Sequence, residues 1–242
     1  MAGVLTSLRG VSDGLLDLFF PPACAICQAP PAPEMPVCAR CCAALTLLPD
    51  PVCARCRAFV PEPHRRCLRG HRRQPGMVWS LGLFDDYYRE LIHLFKFDRR
   101  LDCGEFLARR LGSMLREDVR SEHVDLVIPV PLHRTRQRER GFNQSALLAD
   151  HVAQAIERPL AEGALKRIRN TSTQTALDYP RRRQNVAGAF SSGDATVKGQ
   201  IALLVDDVMT TGATLAECAS VLKAAGAKAV YGAVAALAMV DS

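Results

Sequence analysis

Long apolar runs are missing from this 242-residue sequence. The longest candidate, residues 229–240, is alanine-rich and falls short of the roughly 18–20 residues that cross a bilayer. Residues 1–20 place leucines at helical spacing, but Arg9, Asp13 and Asp17 interrupt the hydrophobic region that a secretory signal needs. We therefore expect no membrane span, and an amphipathic packing helix near the N-terminus.

A strong excess of one charge is also missing. The chain has 31 basic and 25 acidic side chains, a formal net charge of +6, and 48% of its residues are hydrophobic. This composition excludes a wholly disordered chain. The modest positive charge is compatible with nucleic-acid binding, but it predicts weak binding that is sensitive to salt.

Cysteine is scarce over most of the chain and concentrated in one part of it. Eight of the ten cysteines lie between Cys24 and Cys67, in a stretch that is also rich in proline. Dense proline leaves little room for long helices or a conventional hydrophobic core, so something other than packing must hold this stretch together. We predict one domain at residues 1–76 and a second at residues 77–242.

The cysteine spacing repeats. A CxxC pair, ten intervening residues and a further cysteine occur twice, at an offset of 29 residues. Each CxxC knuckle can offer two thiolates to a tetrahedral zinc ion, at about 2.3 Å per sulfur, and two more ligands close the site. The first copy ends in a fourth cysteine, whereas the second has a histidine near that position. We therefore predict two structural zinc sites, one formed by Cys24, Cys27, Cys38 and Cys41 and one by Cys53, Cys56, Cys67 and His71.

Two alternatives to zinc stay open. Clustered cysteines form disulfide frameworks in extracellular proteins, although no secretory signal supports one here. A redox CxxC is less consistent still, because three such pairs in a proline-rich stretch are not typical of thioredoxin-like sites. The zinc interpretation predicts a cytoplasmic protein whose cysteine module unfolds when a chelator removes the metal, while the rest stays folded.

Seven arginines and one acid, Glu62, lie between Arg55 and Arg73. Such a local positive field suits phosphates. Aromatic residues that would stack on bases are nearly absent there. Two interpretations of this stretch therefore stay open, a phosphate-binding surface and an ordinary solvated face.

From about residue 78 the chain alternates apolar strand patterns with helical repeats. Strands separated by helices predict the α/β class, with a mainly parallel sheet flanked by helices. We expect the last helix to bury Cys218 and to stop at Gly226, a typical C-cap glycine. The predicted strands are 78–84, 124–130, 201–205 and 229–237, and the predicted helices are 89–97, 104–115, 143–156 and 213–225.

The stretch 201–215, IALLVDDVMTTGATL, predicts a site for a phosphorylated sugar. A strand leads into a Thr/Gly loop that opens a helix, and backbone amides at a helix N-terminus attract anions. The stretch has neither the GK[ST] of a Walker loop nor the GxGxxG of a dinucleotide turn. Two carboxylates would repel a bare phosphate, but they can accept hydrogen bonds from ribose 2′- and 3′-hydroxyls while the 5′-phosphate occupies the loop. The predicted site comprises Asp206, Asp207, Val208, Met209, Thr210, Thr211, Gly212, Ala213 and Thr214.

The string VDDVMTTGAT resembles the 5-phosphoribosyl-1-pyrophosphate (PRPP) binding motif of type I phosphoribosyltransferases. Together with residues 128–145 (IPVPLHRTRQRERGFNQS), the segment 93–97 and the cysteine pattern, it makes the chain resemble the competence protein F family over nearly its whole length. The resemblance implies a phosphoribosyltransferase-like domain after a small double zinc ribbon. It also implies a link to DNA uptake and natural transformation, with single-stranded DNA and a helicase as partners.

The resemblance further implies residue roles. Pyrophosphate, bound with Mg²⁺, would contact the loop after the second predicted strand, where four alternating arginines begin at Arg134. A mobile hood would cover the site from a later segment. The implied pyrophosphate-binding residues are Pro129, Val130, Pro131, Leu132 and Arg140, and the implied hood residues are Arg181, Arg182 and Arg183.

Two functions follow from these features. The first is a PRPP-binding factor in DNA uptake. The alternative is an active phosphoribosyltransferase, which would displace pyrophosphate at the anomeric carbon through an oxocarbenium-like transition state, with catalysis from positioning and Mg²⁺. That chemistry needs no nucleophilic side chain, and the acceptor would be recognised by variable segments, so the sequence identifies neither a catalytic residue nor an acceptor.

Overall fold

The computed structural model describes residues 22–48, 50–60, 67, 75–171, 185–193 and 196–238. The chain divides into two compact units, Met1–Ala44 and Leu45–Ser242. The domain boundary after residue 76 stays a prediction, and the division into compact units falls earlier. The predicted N-terminal helix, His71 and the three hood residues Arg181, Arg182 and Arg183 lie outside the described residues.

Strands and helices alternate along the second unit. Within the described ranges the strands are β1 (Val78–Leu83), β2 (Leu126–Pro129), β3 (Leu165–Arg167), β4 (Phe190–Ser192), β5 (Ile201–Met209) and β6 (Ala229–Leu237). The helices are α1 (Ala39–Ala44) in the first unit, then α2 (Asp86–Phe97), α3 (Leu101–Glu117), α4 (Arg134–Arg140), α5 (Gln144–Ala155) and α6 (Ala213–Ala224) in the second. Short 3-10 turns occupy Val119–His123 and Glu162–Ala164.

Four of these strands form one parallel sheet in the order β1-β6-β5-β2. The predicted mainly parallel sheet of an α/β domain is thereby confirmed. Leu203, Leu204 and Val205 of β5 are fully buried, as expected for an inner parallel strand that is covered on both faces. β3 and β4 form a separate antiparallel pair. None of the described helices combines the length and apolarity needed to cross a membrane.

The strand β5 runs further than the sequence predicts. It continues past residue 205 to Met209, because Asp206, Val208 and Met209 keep their pairing with β6. The two aspartates therefore lie on the last part of an inner strand instead of in a loop. At the other end of the following helix, Gly226 has a φ of 96° and Cys218 is fully buried, as predicted.

The segment that carries Cys53 and Cys56 pairs with the edge of the sheet. The N–H of Val52 donates to the carbonyl oxygen of Val78 on β1, and the N–H of Val78 donates back to Val52, both at 2.8 Å. Asp50 forms an ion pair with Arg120 at 3.0 Å, and Arg120 is also held by Asp118 at 2.7 Å. The segment with Cys53 and Cys56 thus belongs to the same compact unit as the sheet. We therefore expect loss of metal from this segment to destabilise the sheet as well.

Candidate functional site

The first cysteine cluster fits a tetrahedral zinc ion. The sulfur atoms of Cys24, Cys27, Cys38 and Cys41 all lie within 4.8 Å of one another. Cys27 Sγ and Cys38 Sγ are 3.7 Å apart, close to the roughly 3.8 Å edge of a tetrahedron with 2.3 Å zinc–sulfur bonds. Cys42 is not a member of the cluster. None of the ten cysteines, all of which lie among the described residues, forms a disulfide, so the structure contains no disulfide framework.

The electrostatics of this cluster favour a bound cation. Burial opposes ionisation of Cys24, but backbone hydrogen bonds from Cys27 and Cys38 lower the pKa of its thiol to about 6. Burial and hydrogen bonds with neighbouring cysteines instead raise the pKa of Cys41 to about 12. Several thiolates this close together repel one another unless a positive charge lies between them. Four cysteines at this spacing form the ligand set of a closed structural zinc site.

The second cluster supplies three ligands from the described part of the chain. The sulfur atoms of Cys53, Cys56 and Cys67 lie within 4.8 Å of one another, and Cys56 Sγ and Cys67 Sγ are 3.3 Å apart. His71, the predicted fourth ligand, lies outside the described residues. These three thiols fit one face of a zinc site that needs a fourth ligand to close.

The two knuckles repeat in conformation as well as in sequence. In each, the first cysteine donates its N–H to the carbonyl of the residue five positions later, at 2.7 Å for Cys24 and 2.8 Å for Cys53. In each, the residue four positions later adopts a left-handed backbone, with φ of 62° at Gln28 and 59° at Arg57. The 29-residue repeat predicted from spacing therefore corresponds to a repeated turn.

The loop after β5 presents the N-terminus of α6. Gly212 caps this helix with a φ of 76°, a backbone conformation that glycine adopts at little cost. A Cβ there would also lie 3.2 Å from the carbonyl oxygen of Ala54. Thr211 Oγ1 accepts the N–H of Ala213 at 3.3 Å. The N–H groups of a first helical turn have no partner within the helix, which suits them to an anion.

The two aspartates on β5, here called the acid pair, have different partners. Asp206 accepts a hydrogen bond from Ser145 Oγ at 2.8 Å. Asp207 accepts one from Lys96 Nζ at 2.8 Å, with only 7% of the Asp207 side chain exposed. The second carboxylate oxygen of Asp207, Oδ2, is buried and has no hydrogen-bond partner among the described residues. That oxygen is therefore an unsatisfied acceptor in the protein without ligand.

The carboxylates of the acid pair repel each other. Burial and the adjacent charge of Asp207 raise the pKa of Asp206 to about 7, from 3.8. Arg140 lies over the ring of Phe97 at 5.2 Å. Burial lowers the pKa of Arg140, while the charges of Asp207 and Asp206 act in the opposite direction. Two cations, Lys96 and Arg140, thus face two carboxylates.

The raised pKa of Asp206 predicts a pH-dependent gain in stability from Asp206→Asn. The folded protein binds this proton more tightly than the unfolded chain, so its stability falls as pH rises from about 4 through 7. Asparagine keeps the acceptor for Ser145 without the charge. We expect Asp206→Asn to raise the free energy of unfolding by roughly 1–3 kcal/mol at pH 8 and by much less at pH 5, as measured by denaturant melts.

Asp102 provides the control for this pH experiment. Arg100 lowers the pKa of the Asp102 carboxyl through a hydrogen bond, so Asp102→Asn should stabilise the protein at neither pH. An equal effect of Asp206→Asn at pH 5 and pH 8 would contradict the raised pKa.

A cavity of about 630 Å³ adjoins the end of β2. Pro129, Pro131 and Leu132, three of the predicted pyrophosphate-binding residues, line it. Val130 is buried and donates its N–H to the carbonyl oxygen of Val205 at 2.9 Å. Arg140, the fifth predicted residue, is not on this lining but near the acid pair.

Basic side chains also line this cavity. Arg134 on α4 and Lys166 and Arg167 on β3 are among them. Burial lowers the pKa of Arg167, and the charge of Asp206 opposes that shift. The cavity and the acid pair therefore lie within electrostatic reach of each other.

Lys96 and Ser145 are not among the site residues predicted from the sequence. Lys96 lies in the segment 93–97, and Ser145 ends the segment 128–145, both of which carry the family resemblance. The sequence therefore marked both residues as parts of family motifs, but it did not indicate what their side chains contact. Only the fold shows that both side chains reach the acid pair.

Two family descriptions match this chain. The first, a phosphoribosyl transferase domain, matches residues 143–241. The second, a double zinc ribbon domain, matches residues 15–69. The first match includes the acid pair and α6, and the second includes all eight clustered cysteines.

Curated relatives match most of the chain. Competence protein F of Haemophilus influenzae is 35% identical over 167 residues, which are 66% of this chain and 72% of that protein. DNA utilization protein YhgH of Escherichia coli is 33% identical over 224 residues, covering 88% of this chain and 96% of that protein. Among solved structures, the glutamine PRPP amidotransferase of B. subtilis, complexed with ADP and GMP, matches with 22% identity and a TM-score of 0.41 over 60% of this chain and 30% of its own length.

Proposed function

Because this chain belongs to the competence protein F family, we propose that it binds PRPP with Mg²⁺ at the acid pair and uses this site in DNA uptake. The acid pair itself is the observation that carries the proposal. It lies at the carboxyl end of an inner parallel strand, where ligands of open α/β sheets bind. A glycine loop and a helix N-terminus follow it directly. Lys96 and Arg140 supply positive charge beside it.

Different groups of the site bind the ribose hydroxyls, the 5′-phosphate and the pyrophosphate of PRPP. Asp207, whose Oδ2 has no partner among the described residues, accepts a ribose hydroxyl, while Lys96 holds Oδ1 in place. Asp206, fixed by Ser145, accepts the neighbouring hydroxyl. The loop amides and the hydroxyls of Thr210, Thr211 and Thr214 receive the 5′-phosphate. Mg²⁺ bound with the pyrophosphate would neutralise its charge and keep several waters.

Calorimetric titration of PRPP with Mg²⁺ into the whole protein tests this proposal. We expect saturable binding at one site per chain. Ribose 5-phosphate should bind more weakly, because it lacks the pyrophosphate that Arg140 and Mg²⁺ stabilise. No heat with either compound would defeat the proposed site.

The cavity at the end of β2 favours a second candidate function, transfer of the phosphoribosyl group to an acceptor. Its volume of about 630 Å³ is enough for a small molecule. An active enzyme would release pyrophosphate from PRPP faster when an acceptor is present. Pyrophosphate release from PRPP with a panel of nucleobases and amines, compared with release without protein, tests this alternative.

We place the DNA-related role in the cytoplasm, where a chain with ten cysteines and no disulfide among them stays reduced. Single-stranded DNA and a helicase are the partners that we propose. The basic helix α4 supports contact with a DNA backbone, since Arg134 and Arg138 are exposed on it. Few aromatic residues accompany them, so phosphate contacts should dominate.

Charge reversal on α4 should weaken binding of single-stranded DNA. We expect Arg134→Glu/Arg138→Glu to lower the affinity for a labelled oligonucleotide at least tenfold in low salt. The slope of log affinity against log salt should flatten by about 0.7 for each phosphate that the variant no longer neutralises. Arg89→Glu/Arg109→Glu, on α2 and α3, makes the same charge change at exposed ion pairs and should have a smaller effect. Equal effects of the two variants would exclude α4 as the DNA surface.

A further inference from the structure

The second cysteine knuckle touches the loop that follows the acid pair. Arg57 donates a hydrogen bond from Nη2 to the carbonyl oxygen of Thr210. The carbonyl oxygen of Ala54, in the same knuckle, faces Gly212 so closely that a Cβ on that glycine would lie 3.2 Å away. Two points of the knuckle therefore meet two points of the loop, although 153 residues separate Arg57 from Thr210.

The knuckle that presents Arg57 also carries two of the predicted metal ligands, Cys53 and Cys56. Arg57 follows Cys56 directly, and its N–H donates to the carbonyl oxygen of Cys53 at 3.0 Å. Its backbone is left-handed, with a φ of 59°, a conformation that costs free energy in a non-glycine residue and persists where its surroundings impose it. A metal ion joining Cys53, Cys56 and Cys67 would impose this turn.

The hydrogen bond from Arg57 orients one peptide group of the loop. In a trans peptide the carbonyl of Thr210 and the N–H of Thr211 point in opposite directions. Because the carbonyl points to the guanidinium, the N–H of Thr211 points away from the knuckle. A peptide fixed before binding loses less conformational freedom when a phosphate takes its N–H. The charge of Arg57 also adds to the positive potential of the loop.

We propose that Arg57 is a positioning residue through which metal binding at Cys53, Cys56 and Cys67 strengthens phosphate-ligand binding at Thr210–Thr214. This inference rests on the proposed PRPP site. In this proposal the cluster of Cys53, Cys56 and Cys67 regulates ligand binding at that site. Coupling between two binding equilibria is reciprocal, so PRPP must in turn strengthen retention of the metal by the second cluster.

Arg57→Met and Arg57→Lys test the positioning role in the whole protein. Arg57→Met keeps the length of the side chain but removes its donors, and we expect it to weaken PRPP binding about tenfold in calorimetry. Arg57→Lys keeps the charge and should recover part of this loss. Arg55→Met is the matched control, because Arg55 is an exposed arginine of the same knuckle and should bind PRPP as wild type does. All variants should keep the wild-type zinc content.

Two further measurements separate positioning from a general loss of stability. Amide hydrogen exchange without ligand should be faster in the loop of Arg57→Met and unchanged in β6. Saturating PRPP should slow zinc transfer from one of the two wild-type sites to a chromogenic chelator, and Arg57→Met should abolish this protection while Arg55→Met preserves it.

The outcomes distinguish the two proposals. If wild type does not bind PRPP, the proposed function fails, and the inference fails with it. If wild type binds PRPP but Arg57→Met binds it equally well, or PRPP leaves zinc transfer unchanged, the inference fails and the PRPP site stands.

Discussion

Asp206→Asn/Asp207→Asn should reduce the affinity for PRPP by a factor of at least 100. Hydrogen bonds to charged groups contribute about 1.5–3 kcal/mol each, and this variant weakens two of them. The affinity for inorganic pyrophosphate should hold or rise, because the variant removes negative charge from the site and leaves Lys96 and Arg140 in place. Calorimetry with both compounds therefore tests ribose recognition separately from anion binding.

A matched variant controls for the loss of two negative charges. Asp86 and Asp102 are exposed carboxylates of α2 and α3, each paired with a neighbouring arginine. Asp86→Asn/Asp102→Asn should bind PRPP as wild type does. Wild-type affinity in the acid-pair variant would refute our assignment, and an equal loss of pyrophosphate binding would show that these aspartates do not act on the ribose.

The acid pair costs stability in the unliganded protein. Two adjacent carboxylates on an inner strand repel each other, and this repulsion, together with burial, raises the pKa of Asp206 to about 7. Apolar residues at both positions would suit an inner strand better. A ligand whose hydroxyl groups donate hydrogen bonds to the two carboxylates, together with a positive charge nearby, would reduce this repulsion. The expected stabilisation by Asp206→Asn and the expected loss of PRPP binding thus have one physical origin.

Much of the fold could be predicted because its signals are local. The 29-residue cysteine offset depends on one repeated turn, in which the residue after Cys27 and the residue after Cys56 are left-handed. The strand and helix periods predicted β1, β5, α6 and β6, and Gly226 marks the end of α6 as expected. Hydropathy placed the end of β5 too early, because the aspartates interrupt the apolar run. Pairing with β6 carries the strand through them.

The contacts around the site could not be predicted because they join distant parts of the chain. Lys96 meets Asp207 across 111 residues, and Arg57 meets Thr210 across 153. No spacing rule connects such pairs, because their contacts form only in the folded chain. The cysteine pattern suggested one separate domain for all eight clustered cysteines. Pairing of Val52 with Val78 on β1 instead joins the segment with Cys53 and Cys56 to the sheet.

The first cysteine cluster should be the main source of stability in the unit Met1–Ala44. Among the described residues of that unit, the buried ones are Cys24, Ala25, Pro36, Val37, Cys38 and Cys41. Half of these are predicted zinc ligands, so residues 22–44 offer little apolar surface for a core. Units this small usually need a metal or disulfides, and structural zinc contributes about 10–16 kcal/mol in zinc-finger peptides.

Cys38→Ser should therefore remove one zinc ion per chain and unfold the first unit. A serine hydroxyl is a poor zinc ligand, and the remaining three thiols would leave the site open. We expect metal analysis to show the loss and limited proteolysis to cut within residues 22–44, while the sheet of the second unit keeps its melting temperature. Cys42→Ser is the matched control, because Cys42 lies next to Cys41 but outside the cluster, and it should keep zinc and resist proteolysis. Full zinc content in Cys38→Ser would show that this cluster does not hold the metal, and equal cleavage of both variants would show that zinc is not what orders the unit.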